Sequence, residues 1–512
     1  MEHPATHPQG SSRTVLLAIA VIVVGYGFLA ATGIPQQATG LLVEAEHAEQ
    51  IRPQQHAPYW MVLPFAGLLG AIAVLPLIPA TSHWWEHNRN KFFLAAALAA
   101  VTLAYYLLLA DFPVLGHWLG PHLSPPAEAG VNHTMAWDIL ANAIFMEYVP
   151  FMTLLFSLYT ISGGIRIQGD MPAHPLTNSA FLAVGAVLAS IIGTTGAAMV
   201  LIRPLLETNR ERTHVKHTVI FFIFIVCNCG GCLLPTGDPP LFLGYLTGVD
   251  FLWTLKLWPA WLFVNGMLIA IYFAWDRLWY YPREAARDIA RDETRTHRLR
   301  FFGAWPNAVL LAAVIVSVAL LGPRQTFPGT DWHPWFYLRE VVQLILIALS
   351  LLLGSRAVRH ANHFNYAAVV EVAALFFGIF ICMQPPLQIL GIEGRNLGLT
   401  APAHFFWATG SLSSVLDNAP TYVVFFETAK SVTAQAELSP TVAGVAETLL
   451  MAVSLGAVFM GSMTYIGNGP NFMVKAIAEK SGVRMPSFFG YCVYSILILL
   501  PLFAVTTFLF LR

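Results

Sequence analysis

Charge is what this sequence lacks. Only 11% of its 512 residues are Asp, Glu, Lys or Arg, under half of the ~25% usual in a soluble domain, so a water-facing surface could not be covered. The formal net charge of −1 excludes a polybasic nucleic-acid binder. Cysteine is scarce as well, and three of the five sit in "CNCGGC" as Cys227, Cys229 and Cys232. Five cysteines do not frame a disulfide-rich scaffold. The cluster follows the apolar run "VIFFIFIV", where small buried residues fit better than a zinc site, so no metal or cofactor is expected. No G-x-x-x-x-G-K-[ST] stretch occurs, which leaves a nucleotide-driven pump without its phosphate loop.

Apolar length is what the sequence has. Hydrophobic residues make up 56% of the chain, gathered in runs near the ~20 residues that cross a bilayer as a helix. The class is therefore an all-α polytopic membrane protein. Spans are predicted at 14–33, 59–80, 92–110, 134–162, 217–248, 251–274, 305–322, 335–354, 365–390, 444–480 and 487–511. The first could also be a cleaved signal peptide, but its apolar core is long for one, and a retained helix is the expectation. Either way, residues 34–58 are placed outside.

Arginine and lysine orient the spans, because cytoplasmic loops carry the excess of positive charge. Arg89 and Lys91 mark one inside loop, Arg356 and Arg359 another, and Lys475, Lys480 and Arg484 the last. The 276–303 loop holds seven arginines: Arg277, Arg283, Arg287, Arg291, Arg295, Arg298 and Arg300. Two further apolar stretches, 180–203 and 403–427, must then enter and leave on the same side as re-entrant hairpins. The expected architecture is about 11 transmembrane helices plus two re-entrant hairpins, with the N-terminus cytoplasmic and the C-terminus outside a bacterial-type inner membrane. The Arg339-Glu340 step is expected to be a local pair at the interface.

The chain reads as two inverted repeats, 59–274 and 305–512, after an N-terminal segment 1–58 and joined by a basic linker 275–304. "GGCLLPTGDPP" and "GSMTYIGNGPN" align Gly231 with Gly461, Gly237 with Gly467 and Pro240 with Pro470. Glu147 and Glu371 recur one helix before each hairpin, and the hairpin centres match Gly196 with Asn418. Five spans per half make the second half antiparallel to the first, as in many secondary transporters.

Polar breaks interrupt the apolar segments at "GTTG" (193–196), "PTGDPP" (235–240), "LDNAP" (416–420) and "YIGNGPN" (465–471). Unpaired backbone at membrane depth survives only inside protein or beside a watery cavity, so four such breaks predict helix ends converging on a site. A carboxylate there costs about 2.5–3.5 kcal/mol at a helix centre on insertion scales. Asp417 is the first choice for the binding carboxylate, with a helix-capping role as the bland alternative, and Asp238 is the second. Asn418, Thr236, Asn468 and Asn471 are neutral oxygens that either complete an ion shell or pair the freed backbone. Thr194, Thr195, Ser413 and Ser414 rank lower, because Ser and Thr often bond the preceding turn. Glu147 and Glu371 are expected to brace the hairpins, or to carry protons. Asp138 is expected near the outer interface.

"LSSVLDNAPTY", "LPTGDPPLFLGYL" and "YIGNGPNFMVKAIAEKSGV" resemble the sodium:proton antiporter and citrate transporter branch (NhaD-like) of the ion transporter superfamily, over roughly residues 57–511. The resemblance implies an inverted-repeat fold, secondary active transport and a homodimer. Dicarboxylate symporters of that superfamily carry Ser-Asn-Thr at the hairpin tips. Here the tips read Thr194-Thr195-Gly196 and Asp417-Asn418-Ala419, a departure that shifts weight to cation exchange.

The leading expectation is Na⁺/H⁺ antiport by competition for one intramembrane carboxylate, with Na⁺ and H⁺ as transported ions and the lipid bilayer as surroundings. The alternative is Na⁺- or H⁺-coupled symport of citrate or a dicarboxylate. A non-transport role, as an integral enzyme or scaffold, is disfavoured because no nucleophile, base and oxyanion set can be assembled.

Overall fold

The computed structural model describes residues 11–47, 55–116, 118, 120, 122–126, 130–294 and 297–512. Arg295, one of the linker arginines, lies outside the described residues. Nearly all regular structure is helical, with a few two-stranded pairings such as 114–116 with 122–124. The all-α polytopic membrane class expected from composition is what the chain forms.

Among the described residues, six helices are long and apolar enough to cross a membrane, or up to eight if each bent pair is one span. Eleven uninterrupted spans are not seen, and the reason is local. The segment expected at 59–80 bends by 103° between Tyr59–Val74 and Pro79–Trp85, where "LPLIP" supplies two prolines that remove backbone donors. The segment at 365–390 bends by 44° after Cys382, next to Pro385 and Pro386. The segments at 217–248 and 444–480 are split into halves too short to span alone.

Contacts divide the chain into two compact units. Of the described residues, the first comprises 11–47, 153–166 and 302–364. In it the N-terminal helix Ser11–Ala31 packs on Leu338–Leu353 through Ile19, Ile347 and Leu351. Buried Arg359 donates to the Thr160 carbonyl and, at 2.6 Å, to Ser350 Oγ. Asn362 donates to the carbonyls of Gly163 and Ile165 at 3.0 and 2.8 Å. Arg339 and Glu340 form the expected local pair, Nε to Oε1 at 2.8 Å, but buried.

The second unit, 51–152, 167–301 and 365–512, carries every polar break. Its outer helices Asn88–Leu108 and Ala367–Cys382 touch where a Cβ on Gly378 would fall 2.7 Å from Ala95 Cβ. Its centre is built from four helix pairs. Hairpin 1 runs Pro175–Ile192 and Thr194–Thr208, reversing at Gly193 with φ 83°, a left-handed value natural to glycine. Hairpin 2 runs Pro402–Ser413 and Asn418–Gln435. Broken helix 1 is Lys216–Ile225 then Pro239–Leu246, and broken helix 2 is Glu447–Met460 then Gly469–Lys480.

The pairing of these pieces crosses between the earlier and later parts of the chain. The second arm of hairpin 1 packs on Gly469–Lys480 of broken helix 2, and the second arm of hairpin 2 packs on Pro239–Leu246 of broken helix 1. The glycines matched in the sequence do matching work. A Cβ on Gly237 would lie 2.3 Å from the Gly231 carbonyl oxygen, and one on Gly467 would lie 2.6 Å from that of Gly461. Each break folds back on its own start at a distance only glycine permits. Structurally equivalent tip residues are Thr194 and Asn418, the first helical residues of the second arms. Their separation of 224 replaces the Gly196–Asn418 pairing read from sequence and equals that of Glu147 and Glu371.

Candidate functional site

Four helix N-termini meet in the second unit: Thr194, Pro239, Asn418 and Gly469. Asp238 and Asn468 occupy equivalent positions just before two of them, with nearly identical extended backbones of φ −141°, ψ 143° and φ −151°, ψ 141°. Such residues normally cap their own helix with the side chain. Neither does so here. Pro239 and Pro240 remove two of the donors a cap would satisfy, so the Asp238 carboxylate is released toward the centre.

Three neutral donors from three other elements converge on it. Thr194 Oγ1 and Asn468 Nδ2 donate to Asp238 Oδ1 at 2.9 and 3.1 Å, and Asn418 Nδ2 donates to Oδ2 at 2.6 Å. Asp238, Thr194, Asn418 and Asn468 are all buried. The Thr194 amide donates to the Gly237 carbonyl at 2.8 Å, tying the tip of hairpin 1 to the break. The arrangement explains how a carboxylate is tolerated there. Four positive helix ends face it, and hydrogen bonds replace the water it has lost. Two carboxylate oxygens offer about four acceptor sites, of which three are used.

Beside this hub lie two oxygens with nothing to accept. Asn228 Oδ1 and Asn418 Oδ1 are buried and have no hydrogen-bond partner among the described residues. They flank Gly461, whose Cβ position is 3.0 Å from Asn228 Oδ1 and 3.6 Å from Asn418 Nδ2. Asn228 also donates to Asn471 Oδ1 and to the Ile223 carbonyl, each at 2.8 Å. Buried polar atoms are rarely left unpaired, though Thr409, Gln343 and Ser454 also carry such atoms in this structure. Asn228 was missed in the sequence, hidden between Cys227 and Cys229 in a run read for its sulfurs. Its signal was an amide inside an otherwise apolar segment.

The remaining sequence candidates fall into clear places. Asp417 takes the capping role: its Oδ1 accepts from the Ala419 amide at 3.1 Å, and Thr421 Oγ1 donates to its carbonyl at 2.9 Å. Asn471 pairs freed backbone, donating to the Gly461 and Thr464 carbonyls at 2.9 Å each. Thr236 donates to the Ile191 carbonyl at 3.1 Å, and Ser413 to that of Ala457 at 2.7 Å. Ser414 bonds back to the Ser411 carbonyl at 2.7 Å, and Thr195 is half-buried beside Thr194.

Glu147, in a widened π-helical turn at Asn142–Tyr148, accepts from Gln384 Nε2 at 3.4 Å. Glu371 pairs with Lys91 Nζ at 2.5 Å. The partners of both are side chains of other helices rather than hairpin backbone. Asp138 is buried, receiving Ser124 and His122 of the neighbouring loop.

Residues 54–511 match the family model CitMHS_2, described as "Putative citrate transport". The chain belongs to that family. No curated protein matches it. Family and apolar helices together make this a multi-pass membrane protein and a secondary transporter.

Proposed function

Starting from membership of that transport family, we propose that the chain exchanges Na⁺ for H⁺, with Asp238 as the carboxylate for which the two ions compete. The observation that carries this reading is the company Asp238 keeps. Its hydrogen-bond partners among the described residues, Thr194, Asn418 and Asn468, are neutral, so they offer it partial dipoles and leave its charge open to a mobile cation. The free oxygens of Asn228 and Asn418 supply neutral ligands of the hard kind that sodium takes. A proton on Asp238 cancels the charge that holds sodium, and one ion is released as the other binds. Alternating exposure of the pocket turns competition into exchange.

Proteoliposomes carrying an internal pH dye test this directly. Na⁺ added outside should enter as protons leave and so alkalinise the lumen in the wild type, and should do nothing with Asp238→Asn. A dye response to Na⁺ that persists in that variant refutes the reading. A second reading, cation-coupled uptake of citrate, is favoured by the family description and by four helix N-termini, which suit an anionic carboxylate. Accumulation of labelled citrate that requires Na⁺ or H⁺, with no exchange in its absence, would put it first.

A further inference from the structure

The 275–304 segment turns three of its five carboxylates inward, while Glu293 stays at the surface and the part-exposed Asp288 pairs with Arg291 at 3.9 Å. Three of its carboxylates point inward and are buried: Asp276, Glu284 and Asp292. Each grips the root of hairpin 1. Asp276 accepts from Arg212 Nη1 at 2.9 Å, just past the second arm, and from His217 Nε2 at 3.0 Å, at the start of broken helix 1. Glu284 accepts from the Thr213 and His214 amides at 2.9 Å each. Asp292 accepts from the Ala173 amide at 2.7 Å, just before the first arm. Arg277, Arg283, Arg287, Arg298 and Arg300 are exposed.

Among these arginines stand large apolar side chains that no soluble surface would favour: Leu278 is 76% exposed, Trp279 53% and Phe301 62%. Arg283 lies over the Trp279 ring, its Cζ 4.0 Å from the centroid. The run begins at the end of the apolar helix Trp258–Trp275, and aromatic rings and guanidinium groups are the side chains that meet lipid headgroups where a span ends.

We infer that this face of the linker is a binding surface for the phosphate headgroups of anionic phospholipids in the adjoining leaflet. The apolar side chains enter the acyl boundary while the arginines hold phosphates, for which a planar guanidinium is well shaped. Because the opposite face is fastened to both ends of hairpin 1, bound lipid steadies the hairpin that presents Thr194. The inference assumes only that the linker lies at the membrane surface, and it holds whichever solute is carried.

The test uses the full chain in nanodiscs of phosphatidylcholine alone or with phosphatidylglycerol, read by thermal unfolding and by native mass spectrometry of retained lipid. The variant replaces Arg277, Arg283, Arg298 and Arg300 with Gln. A surface arginine contributes about a fivefold factor in affinity for an anionic leaflet, so four should contribute several hundredfold. Phosphatidylglycerol should raise the unfolding temperature of the wild type and remain bound to it, and 0.5 M salt, at about a 4 Å screening length, should erase both effects. The variant should match the wild type in phosphatidylcholine and gain nothing from phosphatidylglycerol. An equal gain in the variant, or an equal rise in the wild type from inorganic phosphate in phosphatidylcholine, overturns the inference. Neither readout depends on transport, so loss of the exchange reading leaves this test intact.

Discussion

Replacing Asp238 with Asn separates structural from functional use of the central carboxylate, and the structure sets the size of each effect. The amide presents one acceptor where the carboxylate presented two. If its oxygen keeps Thr194 and Asn468, at 2.9 and 3.1 Å, its NH₂ then faces the NH₂ of Asn418 across 2.6 Å. The reverse orientation sets NH₂ against NH₂ at Asn468, while the Thr194 hydroxyl can rotate to accept. Either way one buried donor is stranded, at about 1–3 kcal/mol. Removing a carboxylate from membrane depth returns a comparable ~2.5–3.5 kcal/mol. The two nearly cancel, so Asp238→Asn should insert, fold and melt close to the wild type.

Its sodium affinity should not survive. Loss of the charged member of a buried pair weakens binding by about 2–5 kcal/mol, thirtyfold or more. Scintillation-proximity binding of radioactive sodium measures this in detergent, and the pH-dye assay measures exchange. Asp417→Asn is the contrasting variant, because Asn caps a helix as well as Asp does and the Ala419 amide keeps its acceptor. It should exchange normally. Exchange intact in Asp238→Asn and lost in Asp417→Asn would invert the assignment and refute the reasoning.

Three further outcomes are expected. Gly237→Ala and Gly467→Ala place a Cβ 2.3 and 2.6 Å from backbone oxygens that cannot yield, so each should lose at least about 1–3 kcal/mol; Gly266→Ala, with nothing within 4 Å, should melt like the wild type. Arg212→Met leaves the Asp276 carboxylate buried without its bidentate partner, for about 3–5 kcal/mol of destabilisation, and the double variant Arg212→Met/Asp276→Leu should recover part of it in thermal unfolding.

The third concerns pH. Burial opposes charge on His56, but the Ala57 carbonyl at 2.7 Å and Glu393 at 2.8 Å outweigh it and lift the ring above its usual 6.5. A raised folded value means that its stabilisation is complete below 6.5 and fades as pH rises through the raised value. The difference in melting temperature between wild type and His56→Ala should therefore be largest near pH 5.5 and vanish in alkali, for about 1 kcal/mol or less.

Much of the architecture was legible because polar and helix-breaking residues are costly in apolar surroundings. The breaks at 193–196, 235–240, 416–420 and 465–471 all fall where helices end in the structure. Which carboxylate stands at the centre was not legible. Asp417 and Asp238 both precede a helix, and only the tertiary setting decides whether such a side chain turns back to cap or outward to its neighbours. Asn228 escaped for a related reason, since its unpaired oxygen exists only once Gly461 and Asn471 are beside it. The bend at 75–78 was written in Pro76 and Pro79, but a hydropathy run counts length and does not see direction.

The crossed seating of the hairpins bears on which pieces of the chain can fold alone. The second arm of hairpin 1 starts at Thr194 and rests on a half-helix that starts 275 positions later at Gly469, while that of hairpin 2 starts at Asn418 and rests on one that starts 179 positions earlier at Pro239. A fragment ending before residue 305 would hold hairpin 1 without the half-helix Gly469–Lys480 on which its second arm rests.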